Sequence, residues 1–530
     1  MKSLLKKALA VLLTVFTVFN VIACGGGGGD NGGAVTIKFF GWGNETEQEL
    51  TEQLRKEFNN LNKGKIYVEY TPIPSGDYEV KINNALAGRN VPDVIIAGDG
   101  EIKSWIDDGY IAELDTYAAN STEINLNEMW EDGVNRYRYD RKSRRGGTGK
   151  LYGIMRDYSP SVVFYNIDAM KAVGIECISM DKEQSLSTYG TDSAYFLKDD
   201  KWYFNNKIAT TWEEFLSLSQ KLTSNTSAPV RNDHSITKYG LYVINWFCFG
   251  WSVGGNCLEW VKDDSLATGG KYEFTLFDDQ KNYIVKEGES FTVNSTEYTG
   301  GEIISYTDKS YLTDGQKEKC NQLPSEREAM QYFVDLSVKY QVSPKPDVSA
   351  SNSNYGLFSS AQCAMLIDTR YAVGIFRKTI SGKSEFDWDV APLPKYKDGV
   401  AAGHSGSLAY AIPSKSKKKD AAWKFIEFMA GQRGEEVFAE EGFTIPNTMA
   451  LSQSDTFLQP GKKPANSQIF VDAAYYQKTG DWGYLPSKAW INEWADDLNN
   501  KVLMGSMTLE KLEQLHGSKT QTIIDNYYKN

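Results

Sequence analysis

The run Pro92-Asp93-Val94-Ile95-Ile96-Ala97 constrains the fold more than any other stretch of this 530-residue chain. Successive apolar residues suit a strand buried on both faces, and such strands belong to parallel sheets covered by helices. The preceding residues fit that picture. Val35, Ile37 and Phe39 alternate as one strand, and Ile66, Val68 and Tyr70 alternate as a second. Between them Leu50, Leu54, Phe58 and Leu61 mark a helical stripe, opened by the capping-box pair Thr46 and Glu49. Tyr78, Ile82 and Leu86 mark a second helix that stops near Gly88. Strand, helix, strand, helix, strand is the rhythm of a doubly wound α/β sheet. Ligands in that architecture sit at the carboxyl ends of strands, here residues 41–45 and 98–101.

The rhythm then repeats. Val162-Val163-Phe164-Tyr165-Asn166 is a strand, and Thr211 with Glu214 caps a helix carrying Trp212, Phe215, Leu216 and Leu222. Residues 239–249 read as an aromatic strand leading into Gly250-Trp251-Ser252-Val253-Gly254-Gly255-Asn256. Two polar, short-stranded stretches, about 178–207 and 262–321, interrupt the pattern and read as insertions built from β-hairpins.

The N-terminus has a different task. Lys2, Lys6 and Lys7 precede an apolar stretch over residues 8–23, the layout of a secretory signal. The stretch falls short of the roughly 20 apolar residues of a membrane span. It ends Val21-Ile22-Ala23-Cys24, which resembles a lipobox, and a glycine tract follows at once as a flexible leash. Residues 1–23 are therefore expected to be a signal peptide, and 24–33 a lipidated Cys24 with its tether. Two or more acyl chains give stable anchoring. The alternative is an ordinary signal with an incidental cysteine.

Beyond the leash the chain is long enough for two or three packed units. The formal net charge is −12, and losing the leader's lysines makes it more negative. An acidic surface argues against nucleic acid and anionic lipid as partners. Cys177, Cys248, Cys257, Cys320 and Cys363 show no zinc or redox spacing. Cys248 and Cys257 could pair, or remain buried thiols. His234, His404 and His516 lie far apart, so neither a metal cluster nor a cofactor is expected.

The order of several short motifs carries a resemblance. They are Val91-Pro92-Asp93-Val94-Ile95, Tyr152-Gly153-Ile154, Val163-Phe164-Tyr165-Asn166-Ile167-Asp168 and Thr211-Trp212-Glu213-Glu214-Phe215. Phe358-Ser359-Ser360-Ala361-Gln362-Cys363-Ala364-Met365 follows, with Ala361 where glycine is usual and Cys363 where alanine is usual. Trp388-Asp389-Val390-Ala391-Pro392-Leu393-Pro394, His404-Ser405-Gly406-Ser407-Leu408-Ala409, Ala422-Trp423-Lys424-Phe425-Ile426 and Ile445-Pro446-Asn447 complete the series. Outside the two insertions the chain resembles family 1 extracellular solute-binding proteins, the sugar-capturing subunits of ABC importers such as maltose-binding protein. The resemblance implies a two-lobed periplasmic-binding-protein fold of type II-like topology. Each lobe would be a mainly parallel sheet flanked by helices, and a multi-segment hinge would join them. Lobe 1 would hold residues 34–158 plus 405–451, and lobe 2 residues 159–404 plus 452–530 with both insertions.

Sugars stack their C–H faces on aromatic rings and offer hydroxyls to planar polar side chains. The chain supplies that mixture where such a fold exposes it. Trp42, Asn44, Glu45 and Asp99 come from lobe 1, and Arg156, Asp157 and Tyr158 from the first crossing. Asn245, Trp246, Trp251, Asp368, Arg370 and Tyr371 come from lobe 2, and His404 and Ser405 from the re-entry. Asp481, Trp482 and Trp490 lie where the family carries a late stacking aromatic. Competing readings stand beside these: Asp368 and Arg370 could pair with each other on a loop, and Trp246 could be core. Trp212, Trp388 and Trp423 read as packing residues. The expected protein is a monomeric, non-enzymatic, membrane-anchored catcher of carbohydrate for ABC permease subunits, working outside the cytoplasm. The rivals are a secreted glycoside hydrolase, which needs two facing carboxylates, and a sugar-binding lipoprotein serving a sensor or adhesin.

Overall fold

Val35–Gly41 (β1) runs parallel to Ile66–Pro72 (β2) on one side and to Val94–Gly98 (β3) on the other. The strand Leu408–Ala411 then adds antiparallel to β3, and Ile154–Met155 closes the edge. The structure, a computed structural model, describes residues 33–223, 230, 237–244, 246–351, 353–442, 444–478 and 483–529. The leader, Cys24, Asn245, Asp481 and Trp482 lie outside the described residues. Val94, Ile95, Ile96 and Ala97 are all buried, as a doubly covered strand requires.

The helix Glu45–Leu61 buries Leu54 and Phe58, but Leu61 is 70% exposed, so the apolar stripe ends one turn early. Its capping box is Asn44 and Glu47 rather than Thr46 and Glu49. The Glu47 amide donates to the Asn44 side chain at 3.0 Å, and the Asn44 amide donates to the Glu47 carboxylate at 2.9 Å. The strand ends so close to the helix that the earlier of two pairs with the same spacing takes the cap.

A single strand, Asp157–Asn166, leaves the first lobe and enters the second, with all ten residues buried. At its start it pairs with Ile445–Pro446 and with Gly403–Gly406, so three segments run side by side between the lobes. Further on it pairs with Cys363–Thr369 and Trp388–Ala391. Both of those pairings are antiparallel, whereas Tyr239–Tyr242 lies parallel to Cys363–Thr369 and Gln477–Lys478 parallel to Gly403–Gly406. The two-lobed α/β architecture is as the sequence implies, but this second sheet is mixed rather than mainly parallel. The crossing strand enters from the junction while its neighbours run back toward it.

The aromatic stretch 239–249 is not one strand. Its described residues hold the short strand Tyr239–Tyr242 and the helix Phe247–Ser252 with every residue buried. A fully apolar run fits a buried helix as well as a buried strand, and periodicity does not separate them. The insertions contain the expected β-hairpins, Tyr195–Lys198 with Lys201–Asn205 in the first and Ser290–Val293 with Thr296–Thr299 in the second, but also short helices such as Lys182–Tyr189; the hairpin Leu258–Lys262 with Gly270–Phe274 leads into the second. The second insertion has its own small core of Val285, Val293, Tyr298, Ile304, Leu312 and Cys320. Trp212, Trp388 and Trp423 are buried, as expected of packing residues. Cys248 and Cys257 are thiols, not a disulfide. Among the described residues no helix is long and apolar enough to cross a membrane.

Candidate functional site

The end of β1 carries Trp42 and Asn44 to the junction of the lobes. Trp42 is half-buried beside the Tyr78 ring, at 6.2 Å between centroids. Tyr78 is fixed there because its hydroxyl donates to the Ile96 carbonyl at 2.7 Å. Asn44 has two tasks. Its oxygen caps the helix, and its amide nitrogen donates to the Tyr371 hydroxyl of the second lobe at 2.6 Å. Tyr371 in turn donates to Glu47 at 3.4 Å.

Glu47 is a residue that the sequence reading missed, and it is 4% exposed. Arg156 reaches it at 3.0 Å and also holds Asp157, with Nε to Oδ2 at 2.7 Å. The Arg156 guanidinium also lies over the Phe438 ring. Burial pushes the Asp157 carboxyl above its ordinary range, opposed by Arg156 and by the Leu408 amide at 2.9 Å. The result is a relay from one lobe to the other: Asn44, Tyr371, Glu47, Arg156, Asp157. Glu45 stays exposed on the helix's first turn and does not join it.

The other face of the crossing strand is committed to internal bonds. Tyr158 is fully buried, stacked on Trp130 and beneath the Arg136 guanidinium. Its hydroxyl donates to Asp132 at 2.8 Å. Arg136 pairs with Asp132 at 2.9 Å and Asp99 at 3.5 Å, and it also takes the Ser405 carbonyl. Lys103 is buried beneath them, donating to the Asp99 and Arg136 carbonyls, and burial pushes it down to about 8. Asp99, Tyr158 and Ser405 therefore brace the junction, with at most an edge left to a ligand. A cavity of about 780 Å³ opens beside this cluster, lined by Trp130, Asp132, Asn135, Arg138, Met449 and Tyr475. The sequence reading passed over it, because Trp130 lies in a polar connecting segment and Tyr475 at the end of an apolar helix, with no motif around either.

In the second lobe Trp246 is half-buried and edge-on to Trp494 at 5.3 Å. Trp251 is 1% exposed, with its indole N–H on Asn256, and is core rather than platform. Phe247 separates it from His404. Burial and the nearby Arg136 push His404 down to about 3, so its imidazole is neutral. Asp368 and Arg370 do not pair. Asp368 accepts from Asn354 at 2.5 Å, and burial pushes it up to about 6. Arg370 is fully buried between the Phe457 and Phe470 rings, and it donates to the Gly442 carbonyl at 3.1 Å. Gly442 caps its helix in the left-handed conformation, and a Cβ there would meet the Arg370 and Arg377 guanidiniums. Arg370 thus fastens the C-terminal segments and offers no surface to a ligand. Trp490 is likewise buried, packed edge-on against Phe274 of the second insertion.

Residues 53–465 match the family model described as bacterial extracellular solute-binding protein. The chain belongs to this family. Solved structures agree on the fold of this solute-binding protein. ABC substrate-binding protein Lmo0181 from Listeria monocytogenes, in complex with cycloalternan, is similar at 18% identity with a TM-score of 0.64. That likeness covers 93% of this chain and 99% of the other. The GacH receptor of Streptomyces glaucescens, solved unliganded and with acarbose, is similar at 16% identity and a TM-score of 0.62, covering 93% and 99%. Maltose-bound MalE3 of T. maritima gives 16% identity and 0.58, covering 92% and 100%. The chain has the two-lobed fold of sugar-binding ABC transporter substrate-binding proteins.

Proposed function

We propose that this solute-binding protein captures a sugar or oligosaccharide between its lobes, closes on it, and delivers it to the permease of an ABC importer. The observation that carries the reading is the Asn44–Tyr371–Glu47–Arg156 relay, which spans the lobes beside the half-buried Trp42. An aromatic face next to planar hydrogen-bonding groups is what a sugar ring needs. The ligands named for the structural neighbours are carbohydrates. Trp42, Tyr371 and Trp246 are the stacking candidates, with Asn44 and Glu47 for hydroxyls. Residues 34–158 plus 405–451 form the first lobe in this reading, and the lobes rotate about the three crossing segments. A ligand drives the closure only to the extent that it binds the closed form better. Against the hydrolase rival, the acids of this region, Glu47 and Asp157, are both neutralised by Arg156 rather than left facing each other.

Titration calorimetry with malto-oligosaccharides and other short glycans, paired with X-ray scattering, tests the reading. A ligand that binds without compacting the protein would remove the closure step, and turnover of the glycan would favour the hydrolase. We further infer that Cys24 carries the lipid, by which the protein stays at the outer surface of a Gram-positive cell or on the periplasmic side. Metabolic labelling with a fatty acid should mark the wild type and not Cys24→Ala. Equal labelling would dismiss the anchor.

A further inference from the structure

A second seam between the lobes uses none of the residues assigned to the ligand. On the first-lobe side is a small three-stranded sheet, with Arg138–Asp140 central between Arg145–Gly146 and Lys150–Leu151. It is tied to its lobe by the Leu151 amide donating to Asp115 at 3.0 Å and the Leu114 amide donating to Leu151 at 2.8 Å. On the other side is the last turn of the C-terminal helix Leu509–Lys529. That helix is fastened to the second insertion by Lys271–Asp525 at 2.6 Å and by the Phe274 amide donating to Gln521 at 2.8 Å.

Across the seam the Tyr139 hydroxyl meets the Tyr527 hydroxyl at 2.6 Å, and Tyr527 donates to Asp107 at 2.6 Å. Asp107 ends the helix that begins at Asp99, so the seam lies a helix length from the ligand residues. Arg144 lies over the Tyr527 ring and bonds the Tyr527 carbonyl, while Tyr528 donates to the Arg144 carbonyl. Arg145 lies over Trp260, on the strand that leads into the second insertion, at 5.1 Å. Lys488 pairs with Glu101 at 2.6 Å. Tyr139 is fully buried and Tyr528 is 7% exposed, while Arg144, Arg145, Trp260 and Tyr527 are half-buried around them. Arg144 has φ of 53°, left-handed and costly for a side chain of its size. The strain is compensated because that bend aims both its carbonyl and its guanidinium at the helix end.

We propose that this seam is a permanent clasp. The tip of the C-terminal helix grips this small sheet whether or not the cleft is filled. The lobes then turn about the clasp and the crossing strands together, and ligand is exchanged at the Asn44–Tyr371 side. The inference goes beyond sugar binding and does not depend on it, because its test needs no ligand. Amide hydrogen exchange and X-ray scattering are measured on the ligand-free protein, its Arg144→Ala variant, and a chain ending at Asn526. The amides of residues 145–151 should exchange at least tenfold faster in both variants, with a larger radius of gyration, while those of β1 to β3 keep their protection. Equal exchange over 145–151 in wild type and Arg144→Ala, with an unchanged radius, would overturn the clasp. If the shortened chain fails to fold, Arg144→Ala alone decides, since it removes only the grip.

Discussion

The two seams between the lobes are built from different materials. The Asn44–Tyr371–Glu47 seam is a thin polar relay from two half-buried groups onto the buried Glu47, helped by Lys378 donating to Thr46 at 3.0 Å from an exposed position. The Tyr139–Tyr527 seam is aromatic and cationic, with half-buried groups around the buried Tyr139 and Tyr528. A neutral hydrogen bond nets about 1 kcal/mol, so the relay can be given up at each ligand exchange. Edge-on ring pairs and cation–π contacts each add about 0.5–1.5 kcal/mol, and the second seam has several of them. The difference teaches which side of such a molecule is free to move and which side serves as an axle.

Four changes break or sharpen that contrast. Arg156→Met removes the charge that neutralises Glu47 and Asp157 and leaves both buried, so denaturant melts should show a loss of about 3–5 kcal/mol. No equivalent burial of unmatched charge exists at the clasp, and Arg144→Ala should cost the melt far less. Trp42→Ala removes the aromatic face beside the relay. Calorimetry with a sugar that binds the wild type should show affinity lower by about 10- to 100-fold, with the melt little changed.

The third change is a matter of pH. Burial raises Asp368 to about 6 from an ordinary 3.8. Between those values the native protein holds a proton that the unfolded chain releases, so stability falls as pH rises through that window. Asp368→Asn should flatten this part of the profile and gain about 1–2 kcal/mol at neutral pH, read from melts between pH 4 and 7. The clasp has no such window, since burial pushes the Tyr139 and Tyr527 hydroxyls upward and keeps them protonated. The smallest effect belongs to Tyr371→Phe, which deletes one donor. Ligand affinity should change by less than about tenfold, and hydrogen exchange at the clasp should not change at all.

The sequence made the frame legible because the frame is local. Alternation gave the strands around Ile37 and Val68, and the apolar run around Ile95 gave the buried centre of the first sheet. Motif order then placed the crossing strand, whose Val163–Asn166 portion the resemblance had marked. What escaped depends on distant partners. Arg370 looks like a loop cation until Phe457, Phe470 and Gly442 fold around it from later in the chain. Trp490 looks like a platform until Phe274 from an insertion covers it. Glu47 escaped through a two-residue error in the cap, and the partners Tyr139 and Tyr527 are 388 residues apart.

The crossing strand Asp157–Asn166 sets the order in which this chain is able to assemble. Each of its pairings waits for residues made far later; the Ser161 hydroxyl bonds the His404 carbonyl 243 residues further on. Neither sheet is complete when its first half leaves the ribosome. Such non-local pairing slows folding and leaves unpaired edges open in the interval. The first three strands can pair early, but the crossing strand joins both lobes only after residues as late as Pro446 have been delivered.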